Sequence, residues 1–251
     1  MTGCIYAVEN GQPRLVFEGA PKGDLLLIAH PTRDLIVVAG TNEIRLMDTE
    51  GRGQFLVRTC FEGETITALS FSSTGAELSI GCQSGSTYQL DTLSLKQLSK
   101  LTPCSQSIIE VIYSQSGLYL AAADDGYAVT LWERDEVTSS NWKEMGRFRP
   151  HSDDIVQLLF INEYGAERLL SISRDRKLVE YVIEDKLKIH SQYKIEADAI
   201  PTCLIQYPSE RYEEEFLLTA NDKFKLRLFN QSTKLPRRIT NSQKYDSPIK
   251  K

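Results

Sequence analysis

The residues best able to do chemistry in this chain are His151, Ser171 and Asp175. An imidazole, a hydroxyl and a carboxylate are the groups of a hydrolytic triad, in which the base takes the hydroxyl proton and the acid orients the base. The local sequence opposes that reading. A nucleophilic serine of the G-x-S-x-G type sits on a strained turn, whereas Ser171 stands inside the apolar run LLSIS. Buried hydroxyls, imidazoles and carboxylates must find partners in any fold, and a satisfied network does so without turnover. A structural role is therefore favoured, and no catalytic residue is expected.

Other reactive types are sparse. His30 and His190 are far from His151 in sequence and lack metal-ligand spacing. His30 precedes Pro31 in a turn and His190 lies in an alternating run, so both read as packing or surface residues. The five cysteines, Cys4, Cys60, Cys82, Cys104 and Cys203, stand singly without C-x-x-C. Neither a zinc site nor a disulfide framework follows, and buried reduced thiols in a reducing compartment are expected. The glycines lie singly in turns, with no phosphate-binding loop. Asp153 with Asp154, and Glu213–Glu215, read as solvated loops. No cofactor and no metal are expected.

A chain of 251 residues, 41% hydrophobic and 25% charged, can bury a sizeable core as one domain. Its net charge of −5 argues against broad phosphate binding, so nucleic acid is not an expected partner. The start MTGCIYAVENG has neither a basic nor an apolar signal region, and no 18-residue apolar run occurs. The expectation is a soluble, non-secreted protein with no membrane partner.

The elements that must position these residues repeat. Leu217–Lys234 carries two alternating runs around Asn221-Asp222 and then the turn NQST. The same plan recurs in Leu120–Asp135 around Asp124-Asp125-Gly126, in Leu169–Asp185 around Asp175, in Leu35–Gly51 around Thr41-Asn42, and more loosely in Glu77–Leu93. The closing residues Asp48, Asp91, Glu133, Val182 and Asn230 lie 42 to 49 residues apart. Such a period, with strand signals inside it, indicates a repeat array. A further run precedes each hairpin (LLLIAH, ITALSF, IIEVIY, IVQLLF, PTCLIQY), bounded by turn residues. Four strands per unit and five units predict an all-β propeller. The near-continuous apolar runs LLLIA and LIVVA suit strands buried on both faces.

On these residues the chain resembles the WD-repeat family. VTLWE (Val129–Glu133) matches the family's closing signature, with RLMD, YQLD, VEYV and RLFN as weaker versions. The resemblance implies that His151, Ser171, Asp175 and Tyr181 form a hydrogen-bonded chain tying one blade together, with Tyr181 in place of the usual tryptophan. It also implies that Trp132 packs between blades. The segment Phe216–Lys250 is similar to the WD-repeat region of cilia- and flagella-associated proteins of the calmodulin- and spoke-associated complex, at the base of an axonemal radial spoke. The expected blades are 20–60, 61–104, 105–150, 151–196 and 197–240, preceded by a hairpin in 1–19 and followed by a basic tail in 241–251.

Lys234–Lys251 carries six basic residues and one acidic residue, and Pro236 and Pro248 preclude a continuous amphipathic helix. An exposed basic edge is the simpler reading. Contact of Arg237, Arg238, Lys250 and Lys251 with an acidic protein surface such as tubulin tails is the alternative. The ends do not together supply one full blade, so the expectation is an incomplete arc, a fragment completed by further sequence or by a partner. The expected function is a non-enzymatic interaction scaffold of the cytoskeleton, in the axoneme of a cilium or flagellum, bound to radial-spoke or other axonemal proteins. An adaptor of another cytosolic complex, in ubiquitin ligation or trafficking, is the alternative. A propeller hydrolase is a third reading that would need convergent polar residues at one mouth.

Overall fold

The computed structural model describes residues 3–9, 12–21, 23–48, 55–103, 105–135, 141–163, 165–207 and 215–237. Among them the chain forms strands and no helix. A hairpin, β1 (Gly3–Glu9) and β2 (Gln12–Ala20), comes first. Five four-stranded sheets follow, each with its strands in chain order. The first holds β3 (Leu26–Ala29), β4 (Leu35–Ala39), β5 (Glu43–Asp48) and β6 (Phe55–Cys60). The second holds β7 (Ile66–Phe71), β8 (Glu77–Cys82), β9 (Thr87–Asp91) and β10 (Gln97–Leu101). The third holds β11 (Ile108–Tyr113), β12 (Tyr119–Asp124), β13 (Val129–Arg134) and β14 (Trp142–Phe148). The fourth holds β15 (Ile155–Glu163), β16 (Ala166–Ser173), β17 (Lys177–Ile183) and β18 (Leu187–Lys194). The fifth holds β19 (Pro201–Tyr207), β20 (Phe216–Asn221), β21 (Leu226–Asn230) and β22 (Pro236–Arg237). The fold is all-β, a series of antiparallel meander sheets of propeller-blade type.

Burial follows strand order within a sheet. The second strands are the most enclosed: Val37, Val38, Ala39, Leu78, Ile80, Leu120, Ala121, Leu170 and Ile172 are inaccessible to solvent. A strand with apolar residues on both faces is stable only between two neighbouring layers, which is why these segments read as continuous apolar runs. Fourth strands are largely open to water instead, as in β18, where Leu187 is buried and Lys188, Ile189 and His190 are exposed. In the second to fifth sheets the register slips directly after the first residue of the opening strand, at Ile66, Ile108, Ile155 and Pro201. A bulge repeated at one place is a built feature that re-aims the entering chain.

Contacts divide the chain into two compact units: Met1–Asp124 with Trp132–Lys143, and Asp125–Leu131 with Glu144–Lys251. In the first unit, Val37, Ala39, Ile44 and Leu46 of the first sheet pack on Ile66, Leu78, Ile80 and Leu90 of the second. In the second unit, Ile161, Leu170, Ile172 and Leu178 of the fourth sheet pack on Leu204, Leu217 and Phe229 of the fifth. Burying one such side chain contributes about 1.5–3 kcal/mol, so these sheet-to-sheet layers are the main cohesion of each unit.

One detail departs from the sequence reading, the exposure of Cys60. In the turn after β12 the left-handed residue is Tyr127, at φ 66°. Arg176 and Phe224 hold comparable left-handed φ values, and in the second sheet Gly85 does. Cys60 is exposed rather than buried, while Cys82 is buried and Cys203 half-buried. Cys60 closes the outer strand β6, where alternation turns every second side chain to water.

Candidate functional site

His151 lies in the loop entering β15, Ser171 in the middle of β16, Asp175 in the turn between β16 and β17, and Tyr181 on β17. Leu169 and Tyr181 are register partners, as are Ser171 and Val179, so β16 and β17 hold the two hydroxyls near each other. His151, in the loop before the bulge at Ile155, comes within hydrogen-bond distance of Ser171.

The four side chains form one chain of hydrogen bonds. His151 Nδ1 is 3.1 and 3.2 Å from the Asp175 carboxylate oxygens. Its Nε2 is 2.7 Å from Ser171 Oγ, which is 3.0 Å from Tyr181 Oη. A carboxylate can only accept, so Nδ1 carries the proton and donates to Asp175. Nε2 then accepts from the Ser171 hydroxyl, and Ser171 Oγ accepts from Tyr181. Asp175 also accepts from the backbone N–H of Ser152 and of Lys177, and Ser173 Oγ accepts from the Asp175 N–H. One carboxylate thus ties the loop before β15 to the turn before β17.

Burial pushes the His151 imidazole below its ordinary pKa, against the opposing pull of the Asp175 carboxylate. Burial works to raise Asp175, but the imidazole and the Lys177 and Ser152 N–H groups outweigh it and hold the carboxyl below its ordinary range. Burial raises the Tyr181 phenol. The distances alone would suit a serine nucleophile and its base. Ser171 and Tyr181, however, are 0% exposed, and Ser171 Oγ already has a donor and an acceptor. The arrangement can hold protons in place; it offers no path for a carbonyl to reach Ser171 Oγ.

Trp132 on β13 is 3% exposed and shares a core with Ala68 of the second sheet and Ile108, Val111, Tyr113, Leu120 and Ala122 of the third. Arg237 lies in β22, where its backbone pairs with Leu228. Arg238, Lys250 and Lys251 lie outside the described residues. Among the described residues no group of three or more His, Cys, Asp or Glu could hold a metal ion. No helix there is long and apolar enough to cross a membrane.

Several polar links escaped the sequence reading. Arg134 donates to both Glu77 oxygens at 2.7 and 2.6 Å, and lies 4.5 Å from the Trp142 ring centroid. The Tyr113 hydroxyl donates to the same carboxylate at 3.3 Å. Trp142, which follows the polar run TSSN, is therefore a packing residue. The Gln157 side chain donates to Leu204 O and accepts from Leu204 N, both at 2.8 Å, clamping the fourth sheet to the fifth. In the fifth sheet the buried Glu196 accepts from Asn221 Nδ2 at 2.9 Å and pairs with Arg227 at 3.0 Å. Asn221 ends β20 as Ser173 ends β16, and its side chain accepts from the Lys223 and Lys225 N–H groups. A carboxylate and an amide thus do there what His151 and Asp175 do in the fourth sheet. The signal was Asn221 at the repeat's turn, but its partner is 25 residues away with no fixed spacing. His30 is a packing residue: Nδ1 accepts from the Thr32 and Arg33 N–H groups and Nε2 donates to Gly75 O at 3.1 Å.

The chain is similar to Cilia- and flagella-associated protein 251 of Mus musculus, with 31% identity over 233 residues, covering 88% of this chain and 18% of that protein. The protein of the same name from Pongo abelii is 29% identical over 240 residues, 91% of this chain and 21% of its own length. That from Tetrahymena thermophila is 30% identical over 195 residues, 64% of this chain and 20% of its own. The chain spans about a fifth of the length of the curated relatives it matches. No family model matches it.

Proposed function

We propose that this chain is a non-enzymatic protein-interaction scaffold of the cilium or flagellum, a WD-type propeller segment within the axoneme at the base of a radial spoke. The observation that carries the reading is similarity, over most of the chain, to proteins named for cilia and flagella in mammals and in a ciliate. The physical form suits the role. Within each unit, packed sheets give a frame whose turns offer docking positions. The polar set of His151, Ser171, Asp175 and Tyr181 holds one sheet together. Basic residues such as Arg237, Arg238, Lys250 and Lys251 would meet acidic protein surfaces, tubulin tails among them.

Affinity capture of the tagged protein from demembranated axonemes, read by mass spectrometry, tests the partner claim. Enrichment of radial-spoke-base proteins is expected. Enrichment of ubiquitin-ligase subunits or vesicle-coat proteins in their place would overturn it in favour of a cytosolic adaptor.

A further inference from the structure

The second and third sheets meet across a chemically mismatched interface. One face of the second sheet is fixed by register: Ala68, Gly81, Thr87 and Leu101 form one cross-strand row, and Ser70, Ser79, Gln89 and Ser99 form the next. A Cβ on Gly81 would lie 2.4 Å from Ile108 Cγ2, so this face is the one turned to the third sheet. Opposite it stand Ile108, Val111, Tyr113 and Trp132. The neighbouring contact, between the first and second sheets, is apolar on both sides, with Tyr88 and Phe71 among its aliphatic side chains. Here one side is aliphatic and aromatic, and the other is small and polar.

Ser79, Thr87 and Gln89 are nonetheless buried. Among the described residues, Ser79 Oγ, Thr87 Oγ1 and Gln89 Nε2 have no hydrogen-bond partner. The Gln89 carbonyl oxygen accepts from the Ser99 hydroxyl, and the Tyr113 hydroxyl, which donates to Glu77, lies beside Ser79 without meeting hydrogen-bond geometry. Buried polar groups in folded proteins are satisfied by protein or by ordered water, and three orphaned atoms on adjacent strands of one face need a common explanation. Ser79 and Gln89 are directly opposed and Thr87 is diagonal to Ser79, which puts their Cβ atoms about 4.5–5.5 Å and about 7–8 Å apart, within the span of bridging water. Serine and threonine at these positions also leave more room than the leucine and isoleucine of the neighbouring contact.

We infer that the Ser79, Thr87 and Gln89 side chains form an internal hydration site, holding bound water between the second and third sheets. Water accepts from Gln89 Nε2 and exchanges hydrogen bonds with the two hydroxyls. The water adds to the direct links between the two sheets, from Arg134 and Tyr113 to Glu77.

Two measurements decide this. In the wild-type chain, a crystal structure that orders internal solvent, or water-to-protein nuclear Overhauser effects, should place water within about 2.7–3.2 Å of at least two of the three atoms. An empty space, or the three atoms bonded to protein groups, would overturn the site. Thr87→Val keeps the shape and removes the hydroxyl. If Thr87 holds water, the variant melts lower than wild type. If the hydroxyl is orphaned in a dry contact, its removal relieves an unsatisfied group, and an unchanged or higher Tm contradicts the inference. Should the variant fail to fold, the solvent measurement on the wild type decides alone.

Discussion

Replacing Asp175 by alanine should destabilise the fold without altering the chain's chemistry. The carboxylate accepts three donors: His151 Nδ1–H, Ser152 N–H and Lys177 N–H. The two backbone groups lie near the surface and can turn to water. The His151 ring is buried and cannot, so its Nδ1–H is left without an acceptor. Leaving one buried donor unsatisfied costs about 1–3 kcal/mol. For a domain of this size each kcal/mol moves Tm by about 2–4 °C. A loss of about 4–8 °C, followed by circular dichroism on heating, is the central expectation. Tyr181→Phe removes only the terminal donor to Ser171 and should cost less, about 0.5–1.5 kcal/mol. If Asp175→Ala melts with the wild type, or if Tyr181→Phe is the more damaging change, the relay does not hold the fourth sheet in the way its geometry implies.

Three further outcomes are expected. Because burial holds His151 below the free-histidine value of about 6.5, the unfolded chain takes up a proton that the folded chain refuses as pH falls through that value. His151 therefore lowers stability in that window, by at most about 1.4 kcal/mol per pH unit. A His151→Gln variant should show a shallower Tm drop between about pH 7 and 5.5, and an identical slope would count against the buried neutral imidazole. Trp132→Ala should cost about 3–5 kcal/mol in chemical denaturation, since it empties a buried aromatic site; a loss under about 1 kcal/mol would show that the ring is not a packing anchor. Gly75→Ala should destabilise by more than about 1 kcal/mol, because φ is +74° and the added Cβ would fall 2.2 Å from the His30 ring; a Tm equal to wild type would refute that close approach.

The strand plan was legible because its cause is local. Apolar runs such as LIVVA and LLSIS announce strands buried on both faces, and the polar turns between them set the meander. The His151, Ser171, Asp175 and Tyr181 chain was reachable for a related reason, since each residue holds a fixed place relative to its strand or turn. The sheet-to-sheet links were not. Glu77 with Arg134 and Gln157 with Leu204 join residues with no shared spacing, and which of them meet depends on how neighbouring sheets stack. Cys60 failed on a general tendency: free cysteines are usually buried, but an outer strand exposes alternate positions whatever their type. The left-handed residue of the repeat's turn, Tyr127, Arg176 or Phe224, was not legible, because no glycine marks it.

A structural place in the cilium is tested most directly by where the protein resides. The endogenous protein would be tagged in a ciliated cell and followed through removal of the ciliary membrane and soluble matrix. Retention on the bare axoneme, in a periodic pattern along its length, is the predicted result. A diffuse signal in the cell body, or complete release with the soluble matrix, would contradict it.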